Sequence, residues 1–142
     1  PARGGSKGFK NKNIKKIGGK SLLEIAVDHA NEFNLKNSYI YVSTDSFKYK
    51  KICEKKNCKI PFLRSRKNSK DNSNIIDAIL EFVQNSKDDF ENIILLQPTS
   101  PLRKISEFKS KIKLLNKKKI NSIVTEIFLI LLLRFHQHVL QI

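Results

Sequence analysis

Apolar residues along this chain change repeatedly between helical spacing and short runs of strand length. Residues 21–34, 46–56, 72–84 and 106–115 carry apolar side chains every three or four positions, which predicts four helices. Between them, residues 38–43, 59–63, 91–96 and 120–125 are rich in β-branched, aromatic or aliphatic side chains, which predicts strands. The run that ends at Leu96 does not alternate with polar residues, as is typical of a strand buried on both faces. The order predicts an α/β fold with an open, mostly parallel sheet and flanking helices.

Turn and capping residues define the ends of the predicted helices and strands more closely. Ser21 and Glu24 form an S-x-x-E capping box that predicts the start of the first helix, just after a turn at Gly18-Gly19. Residues 72–74, Asn-Ser-Asn, offer N-caps for the third helix. Pro61 has no backbone N–H, so residues 59–63 are expected to form an edge or isolated strand.

Composition and charge narrow the class of protein. The chain has 142 residues, 39% of them hydrophobic, which is enough for one domain with a core. The net charge of +15 suggests a nucleic-acid-binding module as one alternative, because clustered basic residues bind phosphate backbones. Base-reading proteins favour Arg and stacking aromatic residues, however, and neither is clustered here.

Thiols and imidazoles give no catalytic signal of their own. Cys53 and Cys58 stand at C-x4-C spacing without a second pair at zinc spacing, so we expect free thiols in a reducing compartment. His29, on the apolar face of the first helix, is expected to be a packing residue. The chain opens without an apolar run of the signal-peptide kind, which favours a cytoplasmic location.

The opening segment, P-A-R-G-G-S-K-G followed by Lys12-Asn13, has the chemistry of a polyphosphate-binding loop. Glycine amides can approach an anion closely, and Arg and Lys can neutralise its charge. The spacing matches neither a Walker loop nor a G-x-G-x-x-G run. A flexible basic terminus is the alternative interpretation.

A second polar loop, Q-P-T-S-P-L-R at residues 97–103, follows the most apolar predicted strand. Its two prolines stiffen it, and its polar side chains lie at the carboxyl end of a strand, where open α/β sheets bind ligands. The two loops are therefore expected to meet at one site.

Composition changes abruptly at Glu126, which divides the chain into a domain of residues 1–125 and a hydrophobic tail of residues 126–142. The apolar run at residues 127–133 is too short for a membrane span. It could form a docking helix or strand, but our preferred interpretation is an aberrant, out-of-frame sequence. His136 and His138 have no third candidate metal ligand nearby.

Four motifs together resemble the acylneuraminate cytidylyltransferase family. They are the opening motif with K-N four residues on, V-S-T-D at residues 42–45, P-F-L-R at 61–64 and L-L-Q-P-T-S-P-L-R at 95–103. They stand in the family's order and at comparable spacing over residues 1–125. The resemblance implies a Rossmann-like nucleotidyltransferase fold, incomplete here at the C-terminus.

The resemblance also implies a reaction and its residues. CTP and a nonulosonic acid, of the sialic, legionaminic or pseudaminic type, would give the CMP-sugar and pyrophosphate. Arg3 and Lys12 are implied as catalytic, and Gln97 as sugar-binding. The implied nucleotide-binding residues are Arg3, Gly4, Gly5, Ser6, Lys7, Asn13 and Arg64.

Cofactor and partners follow from the same resemblance. Mg²⁺ is implied as cofactor, with its aspartate ligands expected in a C-terminal part outside this chain, so no metal ligand is predicted here. The expected partners are CTP and the acid sugar, without nucleic acid or membrane. The family forms homodimers through an arm that we also expect outside this chain. Whether the 142 residues are active alone is left open.

Overall fold

The computed structural model describes residues 1–5, 8–88, 90, 93–118, 123–125 and 128–130. Four α-helices lie where the sequence predicts them: α1 (Leu22–Phe33), α2 (Phe47–Glu54), α3 (Ile75–Asn85) and α4 (Ile105–Lys118). The strands are β1 (Lys16–Ile17), β2 (Lys20–Ser21), β3 (Ile123–Thr125) and β4 (Phe128–Ile130). Short 3-10 turns occupy Lys12–Ile14 and Lys67–Ser69.

The predicted capping box starts α1. The Glu24 amide donates to Ser21 Oγ at 3.2 Å, and the Ser21 amide donates to Glu24 Oε2 at 2.9 Å. Ahead of it, β1 and β2 pair antiparallel around Gly18 and Gly19, whose φ angles of 58° and 86° favour glycine. The helix therefore begins directly out of a tight hairpin.

The core lies between α1, α2 and the extended segments beside them. The Tyr49 and Cys53 side chains of α2 are almost fully buried and pack with Leu23 and Val27 of α1. The complete buried cluster contains Ala2, Leu23, Val27, Val42, Tyr49, Cys53 and Cys58. Both thiols are free, as the sequence predicts, and the structure buries both.

The open, mostly parallel sheet is not found among the described residues, where the regular strands form two antiparallel pairs. One parallel bridge joins Tyr41 and Lys59: the Lys59 amide donates to the Ile40 carbonyl at 2.8 Å, and the Val42 amide donates to the Lys59 carbonyl at 3.0 Å. The next rung of a parallel ladder would need an N–H from Pro61, which proline lacks. The predicted isolated strand thus contributes one bridge.

Three extended segments nevertheless run side by side and end at the same edge. The Ala2 amide donates to the Ser43 carbonyl at 2.9 Å, and the Arg64 amide donates to the Thr44 carbonyl at 2.8 Å. Arg64 and the residues that follow Ala2 and Thr44, namely Arg3 and Asp45, are consequently brought to one place. This edge carries the candidate site.

The far end of the chain is described only in part. β3 pairs antiparallel with β4, with Thr125 opposite Phe128. The predicted tail of residues 126–142 otherwise lies outside the described residues. In the part of the chain that the structure describes, no helix is long and apolar enough to cross a membrane.

Candidate nucleotide-binding site

A polar cleft of about 230 Å³ opens at the edge where the extended segments end. It brings together five residues that the sequence analysis singled out: Arg3, Lys12, Asn13, Arg64 and Gln97. A larger cavity of about 590 Å³ is lined mostly by apolar side chains and contains none of these five. The chemistry therefore assigns the candidate site to the smaller, polar cleft.

Arg3 is held at one wall of the cleft from two directions. Its backbone carbonyl accepts a hydrogen bond from Asn13 Nδ2 at 3.2 Å, and Asn13 itself is only 6% exposed. Its guanidinium forms an ion pair with Asp71. Asn13 thus orients the Arg3 backbone, and the Asn13 Oδ1 atom is buried without a hydrogen-bond partner among the described residues.

Arg64 is buried in the cleft wall, and one nitrogen of its guanidinium lacks a hydrogen-bond partner among the described residues. Only 8% of the residue is exposed, and in the described part of the chain its Nε atom has no partner. Burial lowers the pKa of Arg64 from its ordinary value, Asp45 and Glu81 oppose this shift, and Arg3 adds to it. A buried guanidinium that lacks a direct anion is suited to receive one.

The opening loop uses one of its amides internally. The Gly4 N–H donates to Asp45 Oδ1 at 2.7 Å, so this amide would have to exchange partners to join an anion-binding nest. A Cβ at position 4 would come within 2.9 Å of Ser46 Cβ, which explains glycine there. Gly5 is exposed, and the predicted ligands Ser6 and Lys7 lie outside the described residues.

Part of the cleft is lined by residues that the sequence analysis did not name as site residues. Asn68, Lys70, Asp71, Ser73 and Asn74 line the cleft between the second 3-10 turn and α3. Glu81 of α3 holds this part of the cleft, because its carboxylate accepts from the Ser65 amide at 2.8 Å and from Asn68 Nδ2 at 2.6 Å. A dense polar run before an N-cap was the available sequence signal.

The Gln97 loop closes the remaining side of the cleft. Gln97, Pro98 and Thr99 line it, and the Gln97 carbonyl accepts a turn hydrogen bond from the Ser100 amide at 3.2 Å. The same carbonyl accepts a hydrogen bond from the Arg103 guanidinium. Both polar loops predicted from the sequence therefore meet at one site.

Residues 1–130 match the model of a protein family described as "Cytidylyltransferase". The chain belongs to the cytidylyltransferase family. This confirms the resemblance drawn from the four motifs. The match extends five residues beyond the boundary that the sequence analysis places at residue 125.

Curated relatives of this cytidylyltransferase chain support the assignment. An N-acylneuraminate cytidylyltransferase of Streptococcus agalactiae serotype III is 34% identical over 128 residues, 88% of this chain and 30% of that protein. A CMP-N,N'-diacetyllegionaminic acid synthase of Legionella pneumophila is 34% identical over 107 residues, 73% of this chain and 46% of that protein. The chain thus spans less than half the length of either relative.

A solved structure supports the fold. A CMP:2-keto-3-deoxy-manno-octonic acid synthetase complexed with CTP superposes with a TM-score of 0.69, over 86% of this chain and 47% of that one. The identity is 17%, so the likeness shows the nucleotidyltransferase fold alone. This confirms the predicted fold class at the level of the fold family.

The described residues do not assemble a metal site for this family's chemistry. No three His, Cys, Asp or Glu side chains come together as potential ligands in the described ranges. The carboxylate that lines the cleft, Asp71, is engaged by Arg3. Mg²⁺ is commonly bound through one or two carboxylates together with substrate phosphates, so the residues present do not fit a Mg²⁺ site by themselves.

Proposed function

We propose that this chain forms the CTP-binding part of an enzyme that activates a nonulosonic acid as its CMP-sugar and releases pyrophosphate. The acid sugar is of the sialic, legionaminic or pseudaminic type. This substrate class rests on family membership and on the names of the relatives, which are synthetases of CMP-activated acid sugars.

One observation carries the proposal: the Nε atom of the buried Arg64 guanidinium has no hydrogen-bond partner within the described chain, and this residue lines a polar cleft with Arg3 and Lys12. An uncompensated buried charge costs on the order of 3 kcal/mol. Asp45 and Glu81 reduce this cost only through longer-range attraction. A triphosphate in the cleft would supply the missing direct partner and would draw three basic side chains together.

The predicted residues have distinct roles in the reaction. The anomeric hydroxyl of the sugar attacks the α-phosphate of CTP and releases its proton to solvent water. The bond from the α-phosphorus to the oxygen that bridges to the β-phosphate breaks, and pyrophosphate leaves with the electron pair. Arg3 and Lys12 neutralise the negative charge that moves onto the leaving group. Gln97, on the opposite side, can donate to and accept from hydroxyls of the sugar.

Calorimetric titration of the chain with CTP tests the binding part of this proposal. Arg64→Gln removes the charged donors and should weaken CTP binding roughly 10- to 100-fold. Arg66→Gln, two residues further on, is the matched control, because Arg66 is exposed and does not line the cleft. Its CTP affinity should stay within about twofold of the unsubstituted chain.

Stability measurements separate loss of binding from loss of fold. Without nucleotide, Arg64→Gln should melt at or above the temperature of the unsubstituted chain, because it removes a poorly compensated buried charge. At the same CTP concentration, the melting temperature should rise for the unsubstituted chain and for Arg66→Gln, and should rise less for Arg64→Gln. Equal CTP affinity in all three proteins would overturn the proposed role of Arg64.

Substrate choice is tested by turnover of the whole protein. Pyrophosphate release should require both CTP and a nonulosonic acid, with GTP as the competing nucleotide. Sialic and legionaminic acids are compared side by side. Absence of release with every pair would reject the reaction, even if CTP binds.

Two further features belong to the proposal through the resemblance: Mg²⁺ as cofactor and a homodimer. A cytoplasmic location belongs to it as a prediction from the sequence. The nucleic-acid alternative predicts binding of duplex or single-stranded DNA that falls steeply with salt. Family membership and the cleft favour the transferase.

A further inference from the structure

We propose that Arg103 is a positioning residue that ties the Gln97 loop to helix α1 through His29, and that it thereby sets Gln97 at the acid-sugar side of the cleft. The consequence for the sugar rests on the function proposed above. The contacts of Arg103 with Gln97 and His29, called the tie below, are present in this chain whether or not that function holds.

Arg103 connects two parts of the chain that are distant in sequence. Its guanidinium donates through Nη2 to the Gln97 carbonyl, six residues earlier. Through Nη1 it reaches His29 Nδ1 at 3.5 Å, across 74 residues. The residue is only 6% exposed, so the planar guanidinium is enclosed while it spans from the loop to α1.

The contact with Arg103 defines the protonation state and the tautomer of His29. Arginine can only donate, so His29 Nδ1 must accept, and the neutral imidazole carries its proton on Nε2. Protonating Nδ1 would remove the acceptor and bring two cations together. The tie between the loop and α1 is therefore expected to hold with neutral His29 and to weaken when His29 is protonated.

The charges around His29 favour the neutral ring near pH 7. Burial is the main cause that lowers the pKa of His29, and Arg103 and Lys20 add to it. The carboxylates of Glu32 and Asp28 oppose this shift without reversing it. Loss of the tie is consequently expected only as the pH falls below the ordinary histidine range.

The Gln97 carbonyl is the point at which this tie acts on the cleft. It also accepts the Ser100 amide at 3.2 Å, so the turn and the arginine share one acceptor. Gln97, Pro98 and Thr99 all line the cleft. Movement of this carbonyl would shift the Gln97 side chain, whereas Arg3 and Lys12 are held by a different segment.

Hydrogen exchange of the chain tests the tie without any ligand. Arg103→Ala should lower the protection factor of amides in residues 97–103 about tenfold at pH 7, and Arg103→Lys should restore part of that loss. His29→Asn keeps an oxygen acceptor close to the Nδ1 position and cannot take up a proton. It should keep protection constant between pH 5 and 7.5, whereas the unsubstituted chain loses protection toward pH 5.

Steady-state kinetics of the whole protein tests the consequence for the sugar. Arg103→Ala should raise KM for the acid sugar about tenfold and change KM for CTP about twofold at most, with partial rescue by Arg103→Lys. A melting curve for each variant separates this effect from unfolding. His29→Asn should remove the acidic decline in kcat/KM for the sugar.

The outcomes are separable. Equal loop protection in Arg103→Ala and the unsubstituted chain, or pH-independent protection in the unsubstituted chain, would overturn the tie. A tie without any effect on KM for the sugar would overturn the positioning role. If CTP does not bind at all, the proposed function fails, while hydrogen exchange still decides the tie.

Discussion

The Gly4 amide donates a 2.7 Å hydrogen bond to the Asp45 carboxylate, although 41 residues separate them in the sequence. This bond joins the opening loop to the segment before α2. It lies next to Arg3 and within electrostatic reach of Arg64. The Asp45 carboxylate therefore has two effects, as an acceptor for the loop and as a distant counter-charge for the cleft.

Substitutions at Asp45 should separate the contribution of its hydrogen bond to Gly4 from that of its negative charge. Asp45→Ala removes a charge-assisted hydrogen bond and should lower the free energy of unfolding by about 1.5–3 kcal/mol. Asp45→Asn keeps an oxygen acceptor for Gly4 and should lose about half as much. Urea unfolding measures both variants, and equal losses in the two would show that the hydrogen bond is not the main contribution.

Adjacent glycines of the opening loop should respond differently to alanine. In Gly4→Ala the new Cβ would meet Ser46 Cβ at 2.9 Å, and Ser46 caps α2 by accepting from the Tyr49 amide. We expect a loss of about 1–3 kcal/mol in unfolding free energy. Gly5→Ala is the matched control, since nothing lies within 4 Å of its Cβ position, and should change stability by at most about 0.5 kcal/mol. Similar melting temperatures for both variants would contradict this packing argument.

The N-cap of α1 should contribute measurably to stability. Ser21 is buried, and its hydroxyl accepts the Glu24 amide, so Ser21→Ala should lower the free energy of unfolding by about 1–2 kcal/mol. Ser106, exposed in the first turn of α4, provides the control substitution to alanine, with an expected change within about 0.5 kcal/mol. Chemical denaturation decides the comparison, and a Ser21→Ala chain as stable as the control would rule out the cap.

The same cap should make stability depend on acid. Hydrogen bonds from the Ser21 amide and hydroxyl lower the pKa of Glu24 below its ordinary value. The folded chain therefore holds this proton less tightly than the unfolded chain, and the resulting stabilisation is present above about pH 4.3 and lost as pH falls below it. Glu24→Gln should be less stable than the unsubstituted chain at pH 7. That difference should shrink by pH 3, and a constant difference across this range would contradict the linkage.

Both cysteines should be unreactive while the chain is folded. Burial raises the pKa of Cys53 to about 12 and that of Cys58 to about 11, so almost no thiolate exists at pH 8. Alkylation by iodoacetamide should be roughly a hundredfold or more slower than in the unfolded chain. Mass spectrometry after brief labelling, with and without urea, measures both thiols. Rapid labelling of either thiol in the folded chain would contradict its burial.

Local sequence signals determined the helices of this protein and much of its candidate site. The capping box at Ser21 and Glu24 and the spacing of apolar residues specify α1 because helix formation depends on neighbours three and four positions apart. Pro61 likewise indicated a strand that could not pair regularly, and the structure shows a single bridge there. The residue types of the opening loop predicted phosphate-binding chemistry, and the four motifs together indicated the family that the comparison confirms.

Only the tertiary structure decided which residues meet. That Asp71 pairs with Arg3, that Asp45 takes the Gly4 amide and that Arg103 spans from Gln97 to His29 are contacts across 6 to 74 residues. No local pattern encodes such contacts, because they depend on how helices and extended segments pack around the core. The burial of the Arg64 Nε atom without a hydrogen-bond partner among the described residues likewise depends on packing. The sequence by itself determined which chemistry is present, and packing decided where each group lies and what it contacts.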